Sequence, residues 1–434
     1  MGFLFRKLSL LLGDILLLYG SLFLALFVGF WQKFEPSIFF QHVLPFSILY
    51  VLWVIVFYVM DLYDLTLPPT SPPFLSRFGV ALVALFVTGI VYFYALSFWE
   101  ITPKTNLLIH VLIFGVLAYA WRFLFSSKIS GLVPWRVGLY GLGQHQEPLG
   151  SIIDFHKHHG YESIVFDAQR SLASQIEGHH PHVVILPSLA MNDQIQVQSL
   201  YECLGMSVTF LDVSQAYEFF SRRIPLSTVD QQWFIRNLQE KERGLYRHLK
   251  RIFDIAVASA LLVATSPLWV LFALAIKLED QGAIFYSQQR VGRHGKIFWI
   301  KKFRTMKSDA EVHGAKWADE KDSRVTNVGA FLRRTHLDEL PQMLNILRGD
   351  ISLVGPRPER PEFVEILQKE IPHYHIRHFV KPGFTGWAQI KFRYARSVLD
   401  SQKKFEYDLY YIKNRSFILD VLILLKTIQL VFRG

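Results

Sequence analysis

Asp338 and Glu339 are adjacent carboxylates in the segment Leu337-Asp-Glu-Leu-Pro-Gln-Met-Leu344, and the chain around them is dense in arginine and lysine. An ionised aspartate so placed can attack phosphorus to give an aspartyl phosphate, or hold a magnesium ion that bridges phosphates. The cations are Arg290, Arg293, Lys296, Lys301, Lys302, Arg304, Lys307, Arg333, Arg334, Arg348, Arg357 and Arg360. Some of them must simply face anionic lipid headgroups. Two clusters have stiffened backbones: Lys302-Phe-Arg304 follows a strand-like run at residues 297–300, and Gly355-Pro-Arg-Pro358 sets Arg357 between prolines. Rigid arginines suit phosphate oxygens, which accept a planar pair of donors.

Leu337, Leu340, Leu344 and Leu347 recur at helical spacing, and Pro341 belongs in a helix's first turn. The acid pair therefore falls at or just before a helix N-terminus. There the helix dipole, with Arg333 and Arg334, should hold both carboxylates ionised. A plain N-cap aspartate followed by a dipole-complementing glutamate fits the same position, so capping and phosphoryl transfer both stay open at this point. Other chemistries are removed. Gly292-Arg-His-Gly-Lys296 is too short for a phosphate loop and lacks the following Ser or Thr; neither a His-Glu-x-x-His zinc motif nor an Asp-x-Asp triplet occurs.

The elements that must carry this segment are membrane elements. The chain has 434 residues, 51% of them hydrophobic and 15% aromatic, which is too apolar for a soluble enzyme of this size. A net charge of +10 turns the polar parts toward something acidic: nucleic acid, anionic lipid or phosphorylated substrates. Cys203 is the single cysteine, so neither a disulfide nor a cysteine-based metal cluster can form within the chain, and a reducing location fits. Apolar stretches at residues 8–30, 41–63, 78–98 and 106–125 each have the ~20 residues a membrane helix needs. They predict four transmembrane helices within residues 1–130, the first an uncleaved anchor, with prolines between Leu67 and Pro73 separating two of them. Arg6 and Lys7 precede the first span and Arg122, Lys128 and Arg136 follow the fourth, whereas Lys33 and Lys104 each stand beside a glutamate; both ends should face the cytoplasm. Asp14, near the start of the first span, is expected at the membrane interface.

Residues 131–243 read as a Rossmann-like α/β domain, with short β-type runs at 136–140, 163–166, 182–186 and 207–211. Gly141 and Gly143 suggest a dinucleotide loop, but the third glycine position holds Gln146, and Asp167 is only a loose match for a ribose-binding acid; a degenerate nucleotide-type fold without ligand is the better reading. His156, His158, His159, His179, His180 and His182 match no metal spacing and read as loop histidines.

Residues 244–434 form the third domain, mixed α/β. It opens with an apolar run, a membrane helix at 251–278 centred on Ser266-Pro267, where an interior proline should break or sharply kink the helix. Lys250 and Arg251 before it and Lys277 after it all prefer the cytoplasmic side, which favours a re-entrant hairpin over a fifth span.

With these motifs assembled, the chain resembles the bacterial sugar transferases that initiate glycan assembly, the polyprenyl-phosphate hexose-1-phosphate transferases. The resemblance runs through Lys250-Arg-x-Phe-Asp254, Ser266-Pro267, Gln289-Arg-Val-Gly292, Lys302-Phe-Arg-Thr-Met306, Leu337-Asp-Glu-Leu-Pro-Gln342, Gly355-Pro-Arg-Pro358 and Pro382-Gly-Phe-Thr-Gly-Trp-Ala-Gln389. It implies transfer of a hexose 1-phosphate from a UDP-sugar to undecaprenyl phosphate, with release of UMP and with Mg2+ as cofactor, to start an exopolysaccharide, capsule or O-antigen. It further implies a multi-pass protein of the bacterial inner membrane, its catalytic domain on the cytoplasmic face against the lipid bilayer, no nucleic acid partner, and a homodimer. Carried over by motif, Asp338 is the nucleophile and a magnesium ligand, Glu339 its partner, Arg333 and Arg357 bind phosphate, Lys302 and Arg304 help form the site, and Ser266-Pro267 turns the membrane helix back. Glucose or galactose is the expected sugar and an acetamido sugar the runner-up. The competing class is an inactive membrane scaffold or regulator with a nucleotide-binding α/β domain, which the intact acid pair disfavours. Asn414-Arg-Ser416 has the form of a glycosylation acceptor, incidental on a cytoplasmic domain.

Overall fold

The computed structural model describes residues 2–63, 69–95, 104–125, 135–155, 157, 161–187, 200–203, 205–238, 244–307, 324–392 and 397–433. Lys128, His156, His158, His159, Leu67 and Pro68, and the side chains of Arg6, Lys7, Pro73 and Lys104, lie outside the described residues. The chain divides into two compact units, residues 1–216 and 217–434.

The first unit opens with the four expected apolar helices, α1 (Gly2–Phe30), α2 (Pro36–Val59), α3 (Pro72–Ala95) and α4 (Lys104–Leu124). Each is long and apolar enough to cross a membrane. In lipid, apolar surface drives little association, so close packing and internal polar contacts must hold the helices together. Gly13 of α1 provides the first: a Cβ there would lie 2.3 Å from Trp121 Nε1 on α4. Asp14 provides the second. It is 1% exposed, and its two oxygens accept from Arg122 Nη1 and Nη2 at 2.7 Å. The Arg122 guanidinium also lies over the Phe57 ring, 5.0 Å from its centroid. Asp14 is thus buried in the bundle, and Arg122, counted above as a flanking charge, is committed to a helix-to-helix ion pair. Tyr50 Oη, which donates to Leu18 O and meets His110 Nε2, ties α1, α2 and α4 together.

The rest of this unit is an all-parallel four-stranded sheet, order β2-β1-β3-β4, from β1 (Trp135–Tyr140), β2 (Tyr161–Phe166), β3 (Val183–Leu186) and β4 (Thr209–Asp212), with α5 (Gln146–Phe155) and α6 (Leu172–His179) between strands. The strands fall on the runs read from the sequence. Gly141 and Gly143 have φ of +64° and +52°, so left-handed backbone alone accounts for them. Asp167 accepts from the Gln169 amide and pairs with Arg170, a local turn. His182 stacks on Trp135, and no three ligand-type side chains cluster among the described residues.

α7 (Val213–Ser221) leads into the second unit, followed by α8 (Gln231–Asn237), α9 (Gly244–Asp280), the hairpin β5 (Phe285–Val291) and β6 (Ile297–Phe303), α10 (Asn327–Arg334), α11 (Gln342–Arg348), β7 (Ser352–Val354), α12 (Pro361–Glu370), β8 (Gly383–Thr385), α13 (Trp387–Lys391), α14 (Val398–Asn414) and α15 (Phe417–Arg433). Residues 217–238, grouped by sequence with the middle domain, pack here instead. Ile224 and Phe234 join a core with Leu367, Phe405 and Leu409, and the buried Glu406 accepts from the Leu226 amide and from Arg223. Asn414, the apparent glycosylation acceptor, donates to Glu218 at 2.6 Å.

Of the break or sharp kink expected at Ser266-Pro267, the break is absent: α9 is one continuous helix with Pro267 inside it. Proline removes one backbone donor, and the Ser266 hydroxyl bonds back to Val263 O at 2.8 Å. A single stripe of α9 docks on the unit at both ends. Near the start, Arg251 caps α11 by donating to Ile346 O and Leu347 O, Asp254 accepts from the Ser352 hydroxyl and Leu353 amide, and Lys250 pairs with Asp420. Near the end, Trp269 and Phe272 pack edge-on against Phe303, and Ile276 is buried with Leu332. Val263 and Leu268 between these docks, and Val270, Leu271 and Leu274 on the other side of the second, are exposed.

Candidate active site

The site is assembled where β6, α10, the turn before α11 and the loop after β7 meet. Asn345 on α11 fixes the first distance: its amide donates to Trp299 O at 2.8 Å and its oxygen accepts from the Lys301 amide at 3.1 Å, locking α11 to β6. β6 runs on through Phe303, so Lys302, expected just past a strand, lies on one. α10 is brought in by Thr305. Its carbonyl lies 2.1 Å from where a Gly329 Cβ would be, and its hydroxyl accepts from Arg333 Nε at 2.8 Å. Only a glycine permits that approach.

The loop carrying Arg357 is set by three glycines. Gly355, Gly383 and Gly386 pack backbone on backbone: a Cβ on Gly383 would meet Gly355 N at 2.0 Å, and one on Gly386 would meet Gly355 O at 2.2 Å. Gly355 N donates to Thr385 O, and Gly383 N to Pro356 O, each at 2.9 Å. The segments around 355 and 383 are therefore two halves of one joint, and Arg357 stands two residues beyond it.

Asp338 and Glu339 occupy a 3-10 turn, Leu337–Glu339, with Pro341 as the N-cap of α11, so they do come just before a helix. Both are buried, at 7% and 8% exposure, but their environments differ. Glu339 Oε1 accepts from Lys302 Nζ at 2.5 Å and from Arg357 Nη2 at 2.6 Å. Burial pushes its carboxyl up, but Arg357 and Lys302 outweigh that and hold it well below the usual range. Asp338 makes no side-chain hydrogen bond among the described residues. Burial pushes its carboxyl above the ordinary aspartate range, helped by Glu339 and opposed by Lys302, Arg333 and Arg357. The two acids thus differ in environment: Glu339 is secured by two cations, whereas burial raises Asp338, to which no side chain donates among the described residues. Two carboxylates share three cations, an excess of positive charge that suits an arriving phosphate.

Lys302, Arg333 and Arg357 thus converge on the acid pair. Arg334 is exposed, and Arg304 packs elsewhere, with Nη1 only 1.7 Å from where a Gly282 Cβ would be. Ser266 and Pro267 lie on the exposed middle of α9. Sequence reasoning missed Thr305, Asn345, Glu359, Arg377 and Asp408. The signal available for the last two was charge inside an apolar helical pattern, as at Asp408 among Phe405, Leu409 and Tyr411.

The donor set also fits a magnesium ion of the substrate-bridging kind, which takes one or two carboxylates and completes its shell with phosphate and water. Asp338 is the carboxylate available, since Glu339 is engaged by two cations.

Apolar spans joined to a cation-rich site with one uncommitted acid define a multi-pass membrane enzyme that handles phosphate. The description "Bacterial sugar transferase" matches residues 245–434. A UDP-N-acetylgalactosamine-undecaprenyl-phosphate N-acetylgalactosaminephosphotransferase of Aeromonas hydrophila is 33% identical over 378 residues, covering 83% of this chain and 87% of the relative. A UDP-glucose:undecaprenyl-phosphate glucose-1-phosphate transferase of Escherichia coli K12 is 44% identical over 193 residues, covering 44% of this chain and 41% of that protein. The chain belongs to the bacterial sugar transferase family, the polyprenyl-phosphate hexose-1-phosphate transferases.

Proposed function

We propose that the protein transfers a hexose 1-phosphate from a UDP-sugar to undecaprenyl phosphate at the cytoplasmic face of the bacterial inner membrane, releasing UMP. The observation that carries this reading is the asymmetry of the acid pair. Glu339 is saturated by Lys302 and Arg357, and that arrangement keeps both cations beside an Asp338 that no side-chain donor occupies among the described residues. An Asp338 oxygen attacks the phosphorus that bears the sugar, the bond from that phosphorus to the oxygen bridging to UMP breaks, and UMP leaves with the electron pair. A lipid phosphate oxygen then attacks the same phosphorus, and the Asp338 carboxylate is restored. Arg333 and Arg357 offset the negative charge of the phosphates during both steps. Asp338 and the phosphates would hold magnesium, which supplies further charge neutralisation.

The membrane helix supports the reading as well. A helix docked at both ends on one polar domain, with an exposed apolar middle around Pro267, suits a segment that dips into the bilayer and bends back, holding the site at headgroup depth. Among donor sugars, the Aeromonas hydrophila relative, which covers most of this chain, brings N-acetylgalactosamine into the same test as glucose and galactose.

The experiment is incubation of the purified protein with a panel of UDP-sugars, magnesium and undecaprenyl phosphate. UMP release with at least one sugar, abolished in Asp338→Asn, supports the proposal. UDP release points to direct glycosyl transfer, and no turnover with any sugar points to an inactive scaffold; either sinks it.

A further inference from the structure

We propose that Arg377 is a positioning residue that holds Arg357 in register with the acid pair, an inference that rests on the functional reading above. Arg377 is 3% exposed and lies in the 3-10 segment Tyr374–Phe379. Its Nη2 donates both to Arg357 O at 2.9 Å and to Asp408 Oδ2 at 3.0 Å, and its Nη1 donates to the Tyr374 hydroxyl. Asp408 on α14 is 2% exposed. One planar guanidinium thus joins the backbone of the active-site loop to a buried carboxylate on a long helix.

The neighbouring carbonyls are taken in the same way. Pro358 O accepts from Arg290 Nη1 at 3.1 Å, and Glu359 O accepts from the Val291 amide at 3.0 Å. The Glu359 carboxylate is paired with Lys404 at 3.1 Å. Three consecutive carbonyls, 357 to 359, are therefore fixed from outside the loop, while the prolines at 356 and 358 offer no N–H of their own. Desolvating two charges costs several kcal/mol that a hydrophobic pair would avoid, so packing alone gives no reason for Arg377 and Asp408. Geometry gives one. Arg357 must meet the Glu339 carboxylate with both terminal nitrogens, Nη2 at 2.6 Å and Nη1 at 3.4 Å, and a long side chain does so reproducibly only from a fixed Cα.

The test compares Arg377→Lys, which keeps the charge facing Asp408 but lacks the fork, with Asp408→Asn, which leaves the bond to Arg357 O possible. For Arg377→Lys we expect the KM for the UDP-sugar to rise about 10-fold or more. Asp408→Asn should keep a near-native KM. A purely structural role would lower only the amount of active enzyme, with KM unchanged in Arg377→Lys, and that result overturns the proposal. If neither variant folds, the double variant Arg377→Gln with Asp408→Asn, which leaves no buried charge unpaired, is read by the same KM criterion. If the wild type releases UMP from no UDP-sugar, the functional reading falls separately. The inference is then read from amide exchange in Arg377→Lys: faster exchange confined to residues 352–363 upholds it, and unchanged exchange there refutes it.

Discussion

At the residue scale, the two acids should respond oppositely to substitution. Burial raises the Asp338 carboxyl, so the folded state binds its proton more tightly than the unfolded chain does, and its ionised form weakens folding as pH rises through the folded value. Asp338→Asn should therefore lower UMP release by roughly three orders of magnitude or more. The same variant should melt no lower than the wild type at pH 7, with the difference shrinking as pH falls; a clearly lower Tm at pH 7 would contradict this environment. Glu339 is the reverse case. Its folded value is depressed, so its contribution is fully present above the ordinary glutamate range and is lost as pH falls below it. Glu339→Gln leaves Lys302 and Arg357 facing a neutral amide, and should cost about 3 kcal/mol of stability near neutrality as well as activity. Denaturant unfolding at pH 7 and pH 4 checks this, since the penalty should diminish at the lower pH.

At the element scale, the site depends on close backbone contacts and on one membrane helix. Gly383→Ala would place a methyl group inside the van der Waals radius of the Gly355 amide nitrogen and force the two strands apart. A loss of ~2 kcal/mol or more is expected in thermal unfolding, together with a raised KM, because the displaced strand carries the loop to Arg357. For α9, the interior proline removes a backbone hydrogen bond and favours a kink that leucine would not. Pro267→Leu should shift a fraction of molecules toward a straight spanning helix. Tags placed before residue 244 and after residue 280 would then report opposite membrane faces in the variant and one face in the wild type. Opposite faces in the wild type would end the re-entrant reading. In the helical bundle, Asp14 and Arg122 pair between α1 and α4, so losing one partner leaves an unpaired charge buried among the helices.

At the scale of the whole molecule, every side chain assigned to the chemistry lies between Lys302 and Arg377, within the second compact unit. Asp14→Leu combined with Arg122→Leu should therefore leave the rate of UMP release per folded molecule near the wild-type value, whereas Asp14→Leu alone should reduce the yield of folded protein. Measuring turnover against the amount of monodisperse protein separates the two effects, and a large fall in turnover for the double variant would show that the bundle takes part in the reaction.

The sequence by itself determined the elements whose signal is local. Four apolar runs of membrane length became α1 to α4, the β-type runs became a parallel sheet, and Pro341 marked the start of α11. The acid pair and its arginines could also be read locally, because carboxylates beside cations are chemically distinct wherever they fold. Tertiary structure alone decided which cation serves which acid. Arg304 and Arg333 looked equivalent in sequence, yet one packs over Gly282 and the other reaches Thr305 beside Asp338, since side-chain direction depends on how strand and helix meet. Only the fold could set Asp338 and Glu339 apart in environment, because burial and hydrogen-bond donors come from residues distant in sequence. The same holds for Asp14 and Arg122, 108 positions apart, and for Arg377, whose reach to the Arg357 carbonyl exists only once the chain has folded back upon itself.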